Sequence, residues 1–215
     1  MGTPDNVFVA TDDDKIADHV RALGGQLIMT SGKPRNGTER VLEAANRIGL
    51  AENDLVVNLQ GDAVLTPPWT IKALVDACQK NGDIKIGTLR ILLSEEADRK
   101  LLEEKQKSPT SGTYVACRID SDALFFSKRP DFFAPPRSRH IGMYAYRVSV
   151  LKQFCSLPQC SLEELERLEQ MRAIYNRIPI RVVEADYRGR THASVDSPSD
   201  IKFVEAIIAQ EGELI

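Results

Sequence analysis

The sequence contains no stretch that approaches the roughly 20 apolar residues a membrane-crossing helix needs. Its first residues, Met1 to Pro4, lack the basic and apolar segments of a signal peptide. The four cysteines form no CxxC pair and no spacing typical of a zinc site, so free thiols are the simpler interpretation. We therefore expect a soluble, cytoplasmic protein that needs neither disulfide bonds nor structural zinc.

A basic surplus is also missing, because the formal net charge is −3. Nucleic-acid binding usually shows itself as a concentrated basic face, so we expect no nucleic-acid partner. The sequence contains no internal repeat and no low-complexity stretch. At 215 residues it is long enough to bury a core, and residues 1–215 are expected to form one domain.

The first half of the chain alternates between strand-like and helix-like patterns. A β-rich run at 6–11 precedes apolar residues at helical spacing, and Gly24-Gly25 separates these from a second short run at 26–30. Such a strand–helix–strand unit predicts parallel strands joined by a right-handed crossover. The nearly continuous apolar run at 54–60 predicts a central strand that is covered on both faces. Other predicted elements are helices at 38–50 and 70–80 and a strand at 84–92.

The middle of the chain changes character. Residues 95–107 are charged and predict a helix, whereas 113–126 and 141–147 alternate as antiparallel strands do. The Pro- and Arg-rich segment 128–140 between those strands predicts a loop. We therefore predict an α/β fold of three layers (α/β/α, Rossmann-like), with a β-rich lobe inserted at 93–147.

The last third is predicted to contain two helices around a strand at 180–185. Ser161 and Glu164 have the spacing of a capping box, and residues 197–200 supply a cap and a proline for the final helix. The helix after Ser161 is expected to bury the apolar side chains of Leu162, Leu165, Leu168, Met171 and Tyr175.

Two aspartates follow apolar segments that end at predicted strand termini. Asp62 comes after the strand at 54–60, and Asp196 precedes the final helix. Ligands of open α/β sheets bind outside the carboxyl ends of strands, where two converging carboxylates would suit Mg²⁺. The structural alternatives are a turn for Asp62 and a helix-entry role for Asp196. The pair is stronger evidence for a magnesium site than either residue alone.

The segment "NGTER" at 36–40 is a weaker candidate. It is an ordinary turn and cap, but Asn36 and Gly37 at a helix start would also offer free backbone N–H groups to a nucleotide. Arg40 would add a guanidinium for a base or a phosphate.

His140 and the pair Glu169 and Gln170 are further candidates. His140 closely follows Arg137 and Arg139, which makes it a candidate for binding an anionic substrate, with a structural histidine as the alternative. Glu169 and Gln170 flank the apolar stripe of their predicted helix, so a solvated helix face is their default interpretation.

Several motifs along nearly the whole chain together resemble the 3-deoxy-manno-octulosonate cytidylyltransferases (CMP-Kdo synthetases). They are, in order, VATDDDKI, GGQLIMTS, NGTER, VVNLQGD, FFSKRP, RHIGMYAYR, LEELERLEQMR and VDSPSDI. Their order and spacing are far more specific than any single motif. The resemblance implies a nucleotidyltransferase fold and transfer of CMP from CTP to an acidic 2-keto sugar, with release of pyrophosphate.

The same resemblance implies a role for each candidate residue. Asp62 and Asp196 would hold Mg²⁺. The residues that would contact the nucleotide are Asn36, Gly37, Thr38, Arg40, Gln60 and Gly61. Those that would contact the sugar are His140, Tyr144, Glu169, Gln170 and Lys128, the last standing where an arginine is more usual. The inserted lobe would mediate a homodimer; an internal lid is its alternative.

The chain departs from the resembled family in two places. A first strand and a phosphate-binding loop of the type PARxxSxRxPGKxL are not present before residue 6, as expected of a truncated chain, a misassigned start or natural shortening. Ala63 and Val64 stand where the family commonly has Glu-Pro. Loss of the loop is expected to weaken transition-state stabilisation. Alternative functions are transfer to an 8-amino or sialic-type sugar acid, or ligand binding by an inactive remnant.

Overall fold

The computed structural model describes residues 4–109 and 111–214 of the chain. The strands are β1 (Val9–Thr11), β2 (Leu27–Met29), β3 (Leu55–Asn58), β4 (Ile86–Leu92), β5 (Thr113–Cys117), β6 (Ala123–Ser127), β7 (Ser138–Arg147) and β8 (Ile180–Glu184). The helices are α1 (Asp14–Ala22), α2 (Gly37–Arg47), α3 (Pro68–Lys80), α4 (Glu95–Lys107), α5 (Val148–Ser156), α6 (Ser161–Glu166), α7 (Met171–Tyr175) and α8 (Pro198–Glu211).

The strands form two sheets. β1 and β2 pair in parallel, which confirms the predicted strand–helix–strand unit. The six other strands form a mixed sheet around β7, which pairs with β4 along one side and with β3 and β5 along the other. β8 lies parallel to β4, and β6 pairs with β5. Strand β7 therefore carries groups from the lobe into the centre of the domain.

Helices cover both faces of the six-stranded sheet. On one face, β7 packs with α5 and α7 around Tyr146 and Phe154, and α2 adds Val41 and Leu42. On the other face, Leu74 and Cys78 of α3 pack against the sheet. The three-layer α/β/α fold is thus confirmed.

Strand β3 differs from its prediction in one respect. Helices α2 and α3 flank it, as expected of a strand covered on both faces. Among the described strands, however, β3 is hydrogen-bonded only to β7, so it is not flanked by strands on both sides.

The inserted lobe has its own small core. Leu101 of α4, Tyr114 of β5 and Phe133 pack together with Leu93. Strands β5, β6 and β7 pair antiparallel, as their alternating patterns predicted. Because β7 belongs both to this lobe and to the central sheet, the boundary at 93–147 stays a prediction.

Residues 161–175 contradict the predicted single helix. Arg167 adopts a left-handed conformation (φ 54°) that ends α6, and α7 begins only at Met171. The predicted apolar stripe is wrong at Leu165 and Tyr175, whose side chains are 67% and 56% exposed. The cap of α6 is Cys160 rather than a Ser161 capping box. Helix α6 instead turns its acidic face inward. Glu163 and Glu166 are buried there, and they pair with Arg172 and Arg129.

Two other expectations from the sequence, free thiols and the cap of the last helix, are confirmed. All four cysteines are free thiols. The capping box between Ser197 and Asp200 opens α8. In the described part of the chain, no helix is both long and apolar enough to cross a membrane.

Candidate functional site

One edge of the six-stranded sheet gathers most of the candidate residues. The carboxyl ends of β3, β4 and β8 meet residues 138–144 of β7 there, with Asn58 opposite Tyr144 and Arg90 between His140 and Glu184. The loops that follow β3 and β8 begin at the same edge. The sheet therefore places His140, Tyr144 and the two aspartate loops on the side where α/β ligands bind.

The two aspartate loops lie side by side. The backbone N–H of Val195 donates to the carbonyl oxygen of Asp62 at 3.0 Å, and Asp196 is the next residue. Asp62 also lies in a turn, since Ala63 N donates to Gln60 O at 3.1 Å. The turn interpretation of Asp62 is therefore correct, and the loops that carry the two aspartates are in contact.

The carboxylates of Asp62 and Asp196 lack a basic partner. Within the described residues, no hydrogen bond or ion pair reaches the side chain of Asp62, and Asp196 Oδ2 accepts only from Ser194 Oγ at 3.0 Å. No cluster of three or more His, Cys, Asp or Glu side chains that could hold a metal ion occurs in that part of the chain. Mg²⁺ commonly uses one or two carboxylates and completes its shell with water and phosphate oxygens, so this uncompensated pair fits that ion.

The start of α2 forms the second part of the site. Asn36 caps the helix through its Oδ1, which accepts from Glu39 N at 2.9 Å. Its Nδ2 donates to Glu169 Oε1 at 3.0 Å, and Thr38 Oγ1 donates to Glu169 Oε2 at 2.7 Å. Two residues predicted to bind the nucleotide thus share a carboxylate predicted to bind the sugar. Burial raises the pKa of Glu169, while the hydrogen bond from Thr38 opposes that shift.

The guanidinium of Arg40 is already engaged. It lies 3.0 Å from Asp12 Oδ1 and donates to Thr30 Oγ1, which ties α2 to the ends of β1 and β2. The predicted contact of Arg40 with the nucleotide stays a prediction.

Glycine positions in the candidate site are open. A Cβ added at Gly37 or at Gly61 would meet no heavy atom within 4 Å. Packing within the described residues therefore does not explain glycine at either position. Gln60, beside Gly61, is exposed.

An ion pair that the sequence analysis missed supports Glu169. Arg172, only 2% exposed, donates from Nε and a terminal nitrogen to Glu163 at 2.8 and 2.6 Å. The same guanidinium lies 3.8 Å from Glu169 Oε1. Glu163 and Arg172 are nine positions apart and lie in two different helices, so helical spacing gives no signal for the pair. Periodicity alone assigned those acids to solvent.

A row of aromatic rings leads along β7 toward this carboxylate. The ring centroids of His140 and Tyr144 are 5.5 Å apart, and those of Tyr144 and Tyr146 are 5.8 Å apart. Tyr146 and Thr38 are neighbours, and the hydroxyl of Thr38 opposes the strong upward shift that burial gives the pKa of Tyr146. The row therefore links the predicted sugar residues to the start of α2.

His140 is buried and uncharged near neutral pH. Burial, with a smaller contribution from His192, lowers its pKa to about 3. Its Nε2 lies 2.9 Å from Thr88 Oγ1. The neighbouring Arg137 pairs with Asp98 at 2.6 Å. Neither His140 nor Arg137 therefore offers a free positive charge. The buried Nε of Arg139, however, has no hydrogen-bond partner among the described residues, so anion binding beside His140 stays a prediction.

The backbone and neighbouring residues position Lys128, and burial positions Gln170. The carbonyl oxygen of Lys128 accepts from Lys105 Nζ at 2.6 Å, and buried Glu166 binds Ser127 Oγ at 2.6 Å. No hydrogen bond joins the Lys128 side chain to another described residue. Gln170 is buried at the start of α7, between Glu169 and Met171.

Acid is expected to unfold the protein partly through His140. In the folded state its pKa is lowered to about 3, whereas an unfolded histidine protonates near about 6.5. The stability that the neutral ring contributes is therefore present above about pH 6.5 and is lost as the pH falls toward the folded pKa. The variant His140→Asn should flatten the dependence of unfolding free energy on pH by up to about 1.4 kcal/mol per pH unit.

Urea unfolding between pH 4.5 and 7 measures this slope. His19→Asn is the matched control for removing a histidine from an exposed position of α1. Equal slopes for wild type and His140→Asn would contradict the prediction.

Comparison with known proteins adds family information. Residues 1–180 match the model of the cytidylyltransferase family. A 3-deoxy-manno-octulosonate cytidylyltransferase of Maricaulis maris is 44% identical over 98% of this chain and 83% of its own length. An 8-amino-3,8-dideoxy-manno-octulosonate cytidylyltransferase of Shewanella piezotolerans is 36% identical over 95% of this chain and 81% of its own length.

A solved structure shows the same relationship. The CMP:2-keto-3-deoxy-manno-octonic acid synthetase complexed with CTP superposes with a TM-score of 0.81 at 32% identity. The match covers 96% of this chain and 81% of the synthetase. The structure therefore shares both its fold and nearly its full length with a protein solved with CTP.

Proposed function

We propose a reaction and a substrate for this chain from one premise: the chain belongs to the cytidylyltransferase family. It is a nucleotidyltransferase, and we infer that it transfers CMP from CTP to 3-deoxy-manno-octulosonate with release of pyrophosphate, a step of lipopolysaccharide synthesis. The observation that carries this proposal is the 44% identity to the Maricaulis maris cytidylyltransferase over 98% of the chain.

The reaction is a displacement at the α-phosphorus of CTP. The oxygen of the sugar's anomeric hydroxyl bonds to the α-phosphorus and gives up its proton to solvent. The bond between the α-phosphorus and the oxygen that bridges to the β-phosphate breaks, and pyrophosphate leaves with its electrons. Catalysis of such transfers depends chiefly on positioning and on electrostatic stabilisation. We propose that Asp62 and Asp196 hold Mg²⁺, which would offset the charge on the phosphates when bound.

The remaining candidate residues divide between the two substrates. We propose that the start of α2 and the turn after β3 bind the nucleotide, where the backbone N–H groups of a helix start favour phosphate. The sugar would lie along β7 and the segment between α6 and α7. The hydrogen bonds of Asn36 and Thr38 to Glu169 support this arrangement, because they join the two groups around one carboxylate.

A related sugar is the second candidate substrate. The Shewanella piezotolerans relative carries the name of an 8-amino-sugar cytidylyltransferase and is 36% identical to this chain. Its lower identity places that sugar second.

We further propose a cytoplasmic homodimer formed through the lobe. The exposed Phe132 of the lobe, over which Arg129 is stacked at 4.2 Å, supports the proposed interface. The four free thiols support the cytoplasmic location.

Pyrophosphate release tests the proposed reaction. The purified chain is incubated with CTP, Mg²⁺ and 3-deoxy-manno-octulosonate, and control mixtures contain UTP in place of CTP or omit the sugar. We expect release only when CTP and the sugar are both present. In a parallel mixture, the 8-amino sugar is expected to give a lower kcat/KM.

Two outcomes would contradict the proposal. Higher kcat/KM with the 8-amino sugar would replace the substrate and keep the reaction. Absence of release with either sugar, together with measurable CTP binding, would indicate a ligand-binding protein that has lost turnover.

A further inference from the structure

We propose that Thr88 is a positioning residue that fixes His140 as the tautomer protonated at Nε2. The second ring nitrogen, Nδ1, is thereby left as a hydrogen-bond acceptor for a hydroxyl group of the sugar. The part of this inference that concerns the sugar rests on the proposed function, whereas the tautomer follows from the protein alone.

The tautomer follows from counting protons around the Thr88 hydroxyl. Thr88 Oγ1 lies 2.8 Å from the carbonyl oxygen of Met143 and 3.3 Å from that of Ile141. A carbonyl oxygen can only accept, so the single hydroxyl proton is directed to these oxygens. The contact of 2.9 Å between Thr88 Oγ1 and His140 Nε2 then requires that the imidazole be the donor. A neutral ring that donates from Nε2 carries its lone pair on Nδ1.

An irregularity in β7 creates this arrangement. Leu89 pairs with Ile141 and Thr88 pairs with Tyr144, so Gly142 and Met143 have no counterpart on β4. The extra residues bring two carbonyl oxygens to the same threonine. Such bulges re-aim side chains beside active sites.

The ring and its partner are both immobilised. Thr88 is fully buried, and its β-branched side chain has few accessible rotamers. The imidazole is packed between Phe126 and Tyr144, with ring centroids 4.9 and 5.5 Å away. Burial also disfavours the imidazolium and thereby lowers the pKa of His140 to about 3. The Nε2–H tautomer is therefore the form that the site presents.

The free nitrogen determines what the ring can recognise. Within the described residues, Nδ1 of His140 has no hydrogen-bond partner. It is also not one of the side-chain nitrogens and oxygens that are fully buried without a partner. A lone pair there repels a carboxylate and accepts from a hydroxyl. His140 would thus recognise a hydroxyl group of a polyhydroxylated acid, and other groups would bind its carboxylate.

Nitrogen NMR of the full chain, labelled with ¹⁵N at histidine, measures the tautomer directly. His140→Asn assigns the signals of the ring among the three histidines. The variant Thr88→Val removes the hydroxyl at nearly constant shape, and Thr88→Ser restores it. Thr70→Val is the matched control, because Thr70 in α3 is also buried and its hydroxyl donates to Pro67 O at 2.7 Å, away from His140.

We expect the wild-type ring to be protonated at Nε2 alone from pH 5 to 8. Thr88→Val should mix the two tautomers and raise the KM for the sugar about five- to tenfold, as loss of one hydrogen bond would. The KM for CTP should stay within about twofold of wild type. Thr88→Ser and Thr70→Val should keep the wild-type tautomer and both KM values.

A wild-type ring protonated at Nδ1, or at both nitrogens near neutral pH, would overturn the inference. An unchanged tautomer in Thr88→Val would also overturn it. If the tautomer shifts as expected while the chain turns over no sugar, the proposed function fails and the role of Thr88 stands. A shifted tautomer with an unchanged KM for the sugar would show that Nδ1 of His140 does not contact the sugar.

Discussion

Replacing Asp62 with asparagine is expected to lower kcat about 10²- to 10³-fold, the range typical of losing one preorganised electrostatic group. The loss should come with little change in stability. No described residue pairs with the Asp62 carboxylate, so removing its charge should alter the unfolding free energy by less than about 0.5 kcal/mol. Asp196→Asn should behave similarly, because Val195 holds its loop against Asp62 through the backbone.

Turnover at several Mg²⁺ concentrations, together with urea unfolding, tests both variants. If the carboxylates hold the ion, each variant should need more Mg²⁺ for half-maximal rate. Asp18→Asn is the control, since Asp18 forms an exposed ion pair with Arg21 on α1. Wild-type turnover in either site variant would remove that residue from the proposed metal site. A large loss of stability would instead assign it a structural role.

The end of β3 was predictable from the sequence, and the contacts across the site were not. The apolar run that stops at Gly61-Asp62 indicates where β3 ends, and ligands of open α/β sheets bind outside such ends. The strand end predicted before Asp196 is wrong, because β8 ends at Glu184 and Asp196 lies in the segment between β8 and α8. That argument needs only local patterns. It therefore located Asp62 at the end of a strand. It did not locate His140, which lies in β7 and not in the loop predicted at 128–140.

Contacts between distant segments follow from packing, which periodicity does not encode. Asn36 and Glu169 are 133 positions apart, yet they share a hydrogen bond. The break between α6 and α7 also escaped prediction, because helical spacing continues through the left-handed Arg167. A charged residue is ordinarily assigned to the surface, and Arg172 is buried only because Glu163 is buried with it.

Replacing Arg172 with methionine is expected to lower the free energy of unfolding by about 3–5 kcal/mol, because Glu163 would remain buried without its partner. Replacing both members, as Glu163→Leu with Arg172→Met, should recover most of that loss, since a buried ion pair exchanged for apolar residues is often close to neutral. The exposed pair of Asp18 and Arg21 provides the control, and Arg21→Met should cost less than about 1 kcal/mol.

The double variant separates stability from the positioning of Glu169. Its fold should be restored, but Glu169 would lack the guanidinium that lies 3.8 Å away in the wild type. We therefore expect KM values for the substrates about tenfold above wild type, comparable to losing one charge-assisted contact. Urea unfolding and initial rates measure the two effects on the same samples. If the double variant is as unstable as Arg172→Met, the cost lies in packing rather than in the unpaired acid. If it keeps wild-type KM values, Arg172 serves the fold alone and does not orient Glu169.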